Sequence, residues 1–243
     1  IAQDSQGNII DPFNGRDDID KKIFRHVSSA FEEDPLRAVR LARFHSYEHL
    51  QNFNISSDTK EIVKKIVASG EIEKLSPDRF WSEINKSLIS KNSTAFFEKI
   101  ISLNISKFFM PNLTIADCNS SIFPDIKWAE LKFNNGFLLN GCLPIPKNFN
   151  QASDLLKLLI KINKNIKMDK LNTIIQELNV SRNTKSINNL LVLKCLTEFK
   201  SFIEEILEAV HEIDFTSLKD IEPRKIQDNK DSMYNEILSR FYE

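Results

Sequence analysis

The sequence predicts an all-α protein, with multi-helix neck and body lobes that follow a short β-hairpin and loop at the amino end. Only five glycines occur among 243 residues, too few for the turns of a β-rich domain or for the phosphate loop of a dinucleotide-binding fold. The rest of the chain is rich in Leu, Ile, Lys, Glu and Asn, which is typical of helices joined by short polar turns. Hydrophobic residues make up 41% of the chain, which is enough to build a packed core.

Changes in composition divide the chain into four predicted segments. A connecting hairpin and loop takes residues 1–28, and a helical neck domain takes residues 29–113. Residues 114–150 form an irregular connector, because prolines and glycines are concentrated there and break regular structure. Residues 151–243 return to a helical pattern and form the predicted body and tail domain.

Local signals place the first elements. A Gln-Gly turn pair at residues 6–7 lies between short extended pieces and predicts a hairpin. The stretch DPFNGRDDID, residues 11–20, contains Asp-Pro and Asn-Gly turn pairs and is predicted to be a loop. A helix is predicted to begin near Pro35, since proline is favoured at the first helical position, and to run to about Tyr47.

Three more helical segments follow in the neck. The run SSDTKEIVKKIVASGE predicts one helix, which Gly70 closes. The next helix is predicted to begin at Ser76 and Pro77, because proline is favoured at the first helical position. Within this helix Arg79 and Glu83 lie one turn apart and can pair with each other. The run NSTAFFEKIISLNISKFF predicts one further helix or a pair of helices.

Charge and cysteine content exclude several classes of protein. Lys and Arg number 33 against 34 for Asp and Glu, which argues against a polybasic nucleic-acid binder and leaves room for a local basic patch. Cys118, Cys142 and Cys195 lack metal-ligand spacing, so reduced thiols in the cytoplasm are expected. No apolar run approaches the roughly 20 residues of a membrane span, and no membrane partner is expected. Because residue 1 is Ile, we expect the chain to be a fragment of a longer protein.

The stretch AFEEDPLRAVRLARF, residues 30–44, carries the strongest functional signal. On the predicted helix, Arg37 and Arg40 are neighbours on one face and Arg43 continues the series, while Asp34 lies at the cap. A purely structural interpretation is that Asp34 caps the helix and that the arginines are solvated or paired with nearby glutamates. Capping alone does not explain three arginines at this spacing beside small residues.

A carboxylate and a guanidinium one turn apart can read a nucleobase. Cytosine and adenine both present an amine donor beside a bare ring nitrogen, so Asp34 could accept from the amine while Arg37 donates to the ring nitrogen. Uracil and guanine present a carbonyl and a ring N–H instead, which would leave both protein groups unpaired at about 1–3 kcal/mol each. Arg40 could reach a phosphate, for which a planar cationic fork is well suited.

The run GNIIDPFNGRDDIDKKIFRHVSSAFEEDPLRAVRLARF resembles the head–neck junction of class II tRNA nucleotidyltransferases, the CCA-adding enzymes. In that family a Glu-Asp-x-x-Arg motif acts as a protein template that selects CTP and then ATP, and the matching positions are Glu33, Asp34 and Arg37. The candidate nucleotide-binding residues are therefore these three together with Arg40 and Arg43. The resemblance covers roughly residues 1–113, including the later stretch SGEIEKLSPDRFWSEINKSL.

The same resemblance implies a flexible loop that the family uses when it switches nucleotides. The positions that match this loop are Asp11, Gly15 and Asp18. Asp18 and Asp20 have the letter spacing of a metal-binding pair, but they lie in a loop leading into a helix rather than on a strand, which argues against a metal site there. No metal site is therefore predicted in this chain.

The resemblance also implies what the whole protein does. The substrates would be CTP, ATP and the acceptor arm of tRNA, with Mg²⁺ bound by a catalytic head that precedes this segment in the family. The head's glycine-rich loop and paired metal-binding aspartates do not occur in this sequence, so the chain by itself is predicted to contain no catalytic residue and to be inactive. The body is predicted to lack the metal-dependent phosphohydrolase site of some bacterial relatives, because no histidine neighbours an aspartate in the needed pattern.

Two other functions remain open. A poly(A) polymerase of the same superfamily shares an E-D-P-x-R helix, although such enzymes usually end in a strongly basic tail. A helical RNA-binding module without catalysis is the other alternative. In the lysine-rich run 157–170, Lys161 and Lys164 are candidates for contact with the RNA backbone, against the simpler interpretation of a solvated amphipathic face.

Overall fold

The computed structural model describes residues 1–139, 141–220 and 222–242. It forms two compact units, Ile1–Pro146 and Lys147–Glu243. Helices dominate both units and the strands are only two residues long, so the predicted all-α class is confirmed. None of the described helices combines the length and the apolar character that a bilayer crossing needs.

The amino end forms the predicted hairpin. Strand β1 (Ala2–Gln3) pairs antiparallel with strand β2 (Ile9–Ile10), with Ala2 opposite Ile10. Gly7 lies in the connecting turn at a φ of 89°, a left-handed conformation that glycine adopts without steric cost.

The loop prediction for residues 11–20 is wrong in its second half, where helix α1 (Gly15–Asp20) forms. The carboxylate of Asp11 accepts hydrogen bonds from the backbone N–H groups of Gly15 and Arg16, both at 2.8 Å. It thereby satisfies two of the donors that a helix leaves unpaired at its start. These hydrogen bonds hold the pKa of Asp11 below its usual range, the one from Arg16 contributing most.

The first unit continues as a series of short helices. Strand β3 (Ile23–Phe24) pairs in parallel with strand β4 (Asn54–Ile55). The helices are, in order, α2 (Leu36–Phe44), α3 (Ser57–Ala68), α4 (Pro77–Ile89), α5 (Ser93–Ser102), α6 (Ser106–Phe109) and α7 (Pro124–Asn134), with 3₁₀ helices at Ser29–Glu33 and Glu71–Lys74. The helices α3 and α4 begin where predicted because the hydroxyls of Ser56 and Ser76 accept from backbone N–H groups in the first turn.

The core of this unit lies where α2 packs on α4 and α5. Phe80, Phe96 and Phe97 are fully buried there. Trp81 meets Trp128 of α7 edge to face, with ring centroids 5.2 Å apart, and both are buried. Helix α7 lies within residues 114–150, the segment predicted to be an irregular connector, and packs on α4 through these tryptophans.

The described residues of the second unit form helices joined by turns. Its helices are α8 (Lys147–Leu159), α9 (Met168–Leu178), α10 (Val180–Leu190), α11 (Lys200–His211) and α12 (Ile226–Ser239), with 3₁₀ helices at Lys194–Phe199, Phe215–Asp220 and Pro223–Lys225. Helix α12 packs against α9 and α11, and α8 packs against α9 and α10. Buried leucines and isoleucines such as Leu156, Leu171 and Ile203 fill the space between them. The four-segment division of the chain stays a prediction.

Candidate functional site

Asp34 lies in extended backbone between the 3₁₀ helix Ser29–Glu33 and helix α2. One oxygen of its carboxylate, Oδ1, accepts the backbone N–H of Leu36 at 3.1 Å. This hydrogen bond is the capping interaction that the structural interpretation of the motif requires. The Asp34 side chain nevertheless stays about one-third exposed, at 34%, so the cap leaves the carboxylate accessible.

A second element also holds this carboxylate. Nη2 of Arg79, in the first turn of α4, lies 3.1 Å from Oδ1 and 3.0 Å from Oδ2 of Asp34. Sequence reasoning misses this partner, because it pairs Arg79 with Glu83 on the same helix. No local signal reveals the contact, since the two residues lie 45 positions apart.

Arg37 and Arg40 project from α2 at the edge of a cleft of about 330 Å³. One guanidinium nitrogen of Arg37, Nη1, donates to the backbone oxygen of Ala30, which fixes the direction of the half-buried side chain. Arg40 is exposed, and its guanidinium has no ion-pair partner among the described residues. The cleft is therefore lined by three arginines: Arg25 is paired with Asp18, Arg37 is anchored to Ala30, and Arg40 is free to meet an anion.

Aromatic rings supply much of the cleft's wall. The rings of His26 and Phe31 meet edge to face at a centroid distance of 6.1 Å, and the backbone N–H of His26 donates to the hydroxyl of Thr59 at 3.0 Å. The remaining side chains around the cleft include Phe24, Leu41 and Phe44. A cavity with ring faces and cations can accept a planar, anionic ligand such as a nucleotide.

Of the five predicted nucleotide-binding residues, Arg37 and Arg40 line this cleft, whereas Asp34, Glu33 and Arg43 do not. Glu33 is exposed at the end of its 3₁₀ helix and does not line the cleft. Arg43 is buried, with its side chain only 8% exposed, and its Nε donates to Glu83 of α4. Six residues along an α-helix correspond to a rotation of about 600°, so Arg43 faces about 120° away from Arg37. The predicted nucleotide contact by Arg43 is therefore not supported by its position.

The three residues matched to a flexible loop lie around helix α1. Asp11 caps the helix, Gly15 begins it, and Asp18 pairs with Arg25 at 2.9 Å. Gly15 and Asp18 line a second cleft of about 670 Å³, which shares Phe24, Arg25, His26 and Val27 with the first. The matched residues are thus neighbours of the arginine cleft, and their predicted mobility stays a prediction.

The remaining predicted residues lie elsewhere. Lys161 and Lys164 are both exposed in the turn that joins α8 to α9, so they are not on a helical face. Among the described residues, no three His, Cys, Asp or Glu side chains come together in a metal-ligating group.

Comparison with known proteins identifies relatives of this chain. Residues 52–116 match the family described as "Probable RNA and SrmB- binding site of polymerase A". The chain is 41% identical over 113 residues to a CCA-adding enzyme of Pseudomonas putida (strain W619), covering 46% of this chain and 30% of that protein. It is 42% identical over 113 residues to a multifunctional CCA protein of Legionella pneumophila (strain Lens), covering 46% and 28%.

The fold resembles solved structures over a longer stretch. The Bacillus stearothermophilus CCA-adding enzyme in complex with CTP superposes with a TM-score of 0.72 at 18% identity, covering 98% of this chain and 66% of that one. A CCA-adding enzyme in complex with ATP gives a TM-score of 0.59 at 18% identity, covering 94% and 62%. The segment matched in sequence spans less than a third of the curated relatives' length. Sequence and fold together confirm the resemblance that the motifs indicated: the chain is similar to CCA-adding enzymes in sequence over 113 residues and in fold over 98% of its length.

Proposed function

We propose that this chain is the nucleotide-selecting and tRNA-supporting part of a CCA-adding nucleotidyltransferase. In this proposal Asp34 and Arg37 act as a protein template that accepts cytosine and adenine and rejects uracil and guanine. Arg40 binds a phosphate of the incoming CTP or ATP. The observation that carries the proposal is that Asp34 and Arg37, one helical turn apart, are both anchored and both partly exposed.

The hydrogen-bonding capacity of Asp34 fits this role. An ionised carboxylate has about four acceptor positions, two on each oxygen. The Leu36 N–H and Arg79 occupy Oδ1, while Oδ2 receives only Arg79. One acceptor position on Oδ2 is therefore left for the exocyclic amine of cytosine or adenine.

The guanidinium of Arg37 has hydrogen-bond donors that remain available for the same base. A guanidinium carries five N–H donors, and the carbonyl of Ala30 takes one of them. A remaining donor can reach the bare ring nitrogen beside the amine. Uracil or guanine would place a carbonyl against Asp34 and an N–H against Arg37, and each mismatch would cost about 1–3 kcal/mol. Two mismatches are enough for a strong preference between nucleotides.

The chemical step is assigned to a catalytic head outside this chain. Two-metal nucleotidyl transfer needs clustered carboxylates to bind Mg²⁺, and the described residues of this chain contain no such cluster. The 243-residue chain alone is therefore expected not to add nucleotides. The body would support the acceptor arm of tRNA, and the protein would act in the cytoplasm.

The template is tested in the full-length gene product with a tRNA that lacks its 3′ end. Incorporation of each of the four nucleoside triphosphates is measured for Asp34→Ala, Arg37→Ala and the control Glu32→Ala, an exposed residue of the same turn. We expect the wild type and the control to use CTP and ATP, and the two template variants to lose this preference. An unchanged preference in both template variants would refute the proposal.

A poly(A) polymerase is the second candidate, because the family matched by residues 52–116 is described as a binding site of polymerase A. Use of CTP distinguishes the two functions. A CCA-adding enzyme incorporates CTP before ATP, whereas a poly(A) polymerase incorporates ATP alone and extends it into a tail.

A further inference from the structure

We infer that Arg79 is a specificity-determining positioning residue that holds the Asp34 carboxylate in the orientation required to read a base. This inference rests on the proposed template function of Asp34. Arg79 itself would not touch the base, and its effect on nucleotide choice would pass through Asp34.

The geometry shows what Arg79 adds. The N–H of Leu36 holds one oxygen of the carboxylate, at 3.1 Å, and by itself leaves the second oxygen free to swing about that contact. Nη2 of Arg79 approaches both oxygens, at 3.1 and 3.0 Å. The carboxylate plane is thereby fixed at two oxygens from two different directions, and Oδ2 keeps the acceptor position that the template needs.

Arg79 can act as a holder because its own helix is fixed. Its backbone N–H donates to the Ser76 hydroxyl at 3.4 Å, in the capped first turn of α4. The next residue, Phe80, is fully buried, and Glu83 one turn later is buried and paired with Arg43 of α2. Helix α4 is therefore tied to α2 one turn beyond the Asp34 contact, so the Arg79 side chain starts from a defined position.

A structural role and a positioning role predict different measurements. The side chains of Arg79 and Asp34 are 50% and 34% exposed, and exposed ion pairs usually add little to folding stability. Removal of the Arg79 side chain should therefore leave the thermal midpoint almost unchanged. Nucleotide discrimination, in contrast, depends on the direction of each acceptor and should decrease clearly.

The test is a double-mutant cycle in the full-length gene product, with kcat/KM measured for CTP, UTP, ATP and GTP. The variants are Arg79→Ala, Arg79→Lys, Asp34→Ala and the double variant Arg79→Ala/Asp34→Ala. Lys74→Ala is the matched control, because it breaks an exposed pair with Glu71 nearby that does not involve the template. Thermal unfolding is recorded for every variant.

We expect Arg79→Ala to lower the CTP/UTP and ATP/GTP preference about tenfold, within the range of coupling between directly interacting residues. Arg79→Lys should restore part of it, since an ammonium keeps the charge but does not place a nitrogen where Nη2 contacts both oxygens. In the Asp34→Ala background, replacement of Arg79 should cause no further change, and Lys74→Ala should match the wild type.

Three outcomes would overturn the inference. If Asp34→Ala loses the preference and Arg79→Ala keeps it, the template stands and Arg79 has no part in it. If Arg79→Ala lowers the preference equally with and without Asp34, Arg79 acts independently of the carboxylate. If neither single variant changes the preference, the template proposal fails together with the inference.

Discussion

Arg43 of α2 and Glu83 of α4, 40 residues apart in sequence, form a buried ion pair whose side chains are only 8% and 4% exposed. The second oxygen of Glu83 accepts from Lys86 at 2.9 Å, and Arg43 also donates to the hydroxyl of Tyr47. The pair links the helix that carries Arg37 to the helix that carries Arg79. The geometry of the candidate site therefore depends on a contact that no nucleotide would touch.

Breaking this pair on one side should destabilise the protein strongly. We expect Glu83→Gln to cost about 3–5 kcal/mol, because the Arg43 charge stays buried without its carboxylate partner. Arg43→Met should cost less, because Glu83 keeps its contact with Lys86. Lys91→Ala, which removes an exposed pair with Glu48, should cost less than about 1 kcal/mol. Urea unfolding measures each free energy, and a Glu83→Gln variant as stable as Lys91→Ala would contradict the assignment.

The same pair should make stability depend on pH in the acid range. Burial alone would raise the pKa of Glu83, but hydrogen bonds from Lys86 and Arg43 and their charges outweigh it and hold the pKa below its usual range. Because the folded pKa is the lower one, the stabilisation is present above the unfolded pKa of about 4.3 and is lost as the pH falls through the folded pKa. Unfolding free energies between about pH 7 and 3 should show a steeper acid loss for the wild type than for Glu83→Gln. Parallel curves would exclude Glu83 as the titrating group.

Two cysteines should differ in reactivity. Cys118 is fully buried, and burial raises the pKa of its thiol far above the usual range, whereas Cys142 is exposed. Since the thiolate is the reactive form, an aromatic disulfide reagent should label Cys142 in the native protein and Cys118 only after unfolding. A Cys195→Ser background leaves these two thiols, and Cys142→Ser serves as the control. Rapid native labelling of the Cys142→Ser variant would show that Cys118 is accessible.

The contribution of the α3 cap to stability should be visible when two adjacent serines, Ser56 and Ser57, are replaced separately. The Ser56 hydroxyl accepts from the backbone N–H of Thr59 at 3.3 Å and donates to its side chain at 2.8 Å. We expect Ser56→Ala to cost about 1 kcal/mol. Ser57→Ala, at the first residue of the helix, removes a hydroxyl that donates to exposed Asp58 and should be nearly neutral. Equal effects in thermal unfolding would argue against a specific cap.

The turn between α8 and α9 should contribute to RNA affinity if its lysines meet phosphates. Replacing Lys161 and Lys164 by Ala should lower the slope of log affinity against log salt by about 0.7–0.9 for each phosphate that is no longer neutralised. Lys225→Ala, which removes a lysine paired with Glu222 in the same unit, serves as the control. The affinity of the chain for tRNA is measured between about 50 and 200 mM salt. Equal slopes for the wild type, the Lys161 and Lys164 variants and the control would exclude the interaction.

Much of the helical framework could be predicted because its signals are local. Ser56, Ser76 and Pro77 mark helix starts through contacts within a single turn, and the Gln-Gly pair at residues 6–7 marks the hairpin in the same way. Helix α1 escapes prediction although its cap is also local, because the turn pairs around Asp11 favour a loop and conceal the capping carboxylate.

The sequence by itself determined the helical class, the hairpin and the motif that brings Asp34 and Arg37 one turn apart. Only the tertiary structure decided which charges are used inside the protein: it buried Arg43 against Glu83 and turned Arg79 from its neighbour on α4 towards Asp34. The physical reason is range. Capping and turn formation depend on atoms within a few residues, whereas these two ion pairs join residues 40 and 45 positions apart and follow from how their helices pack against one another.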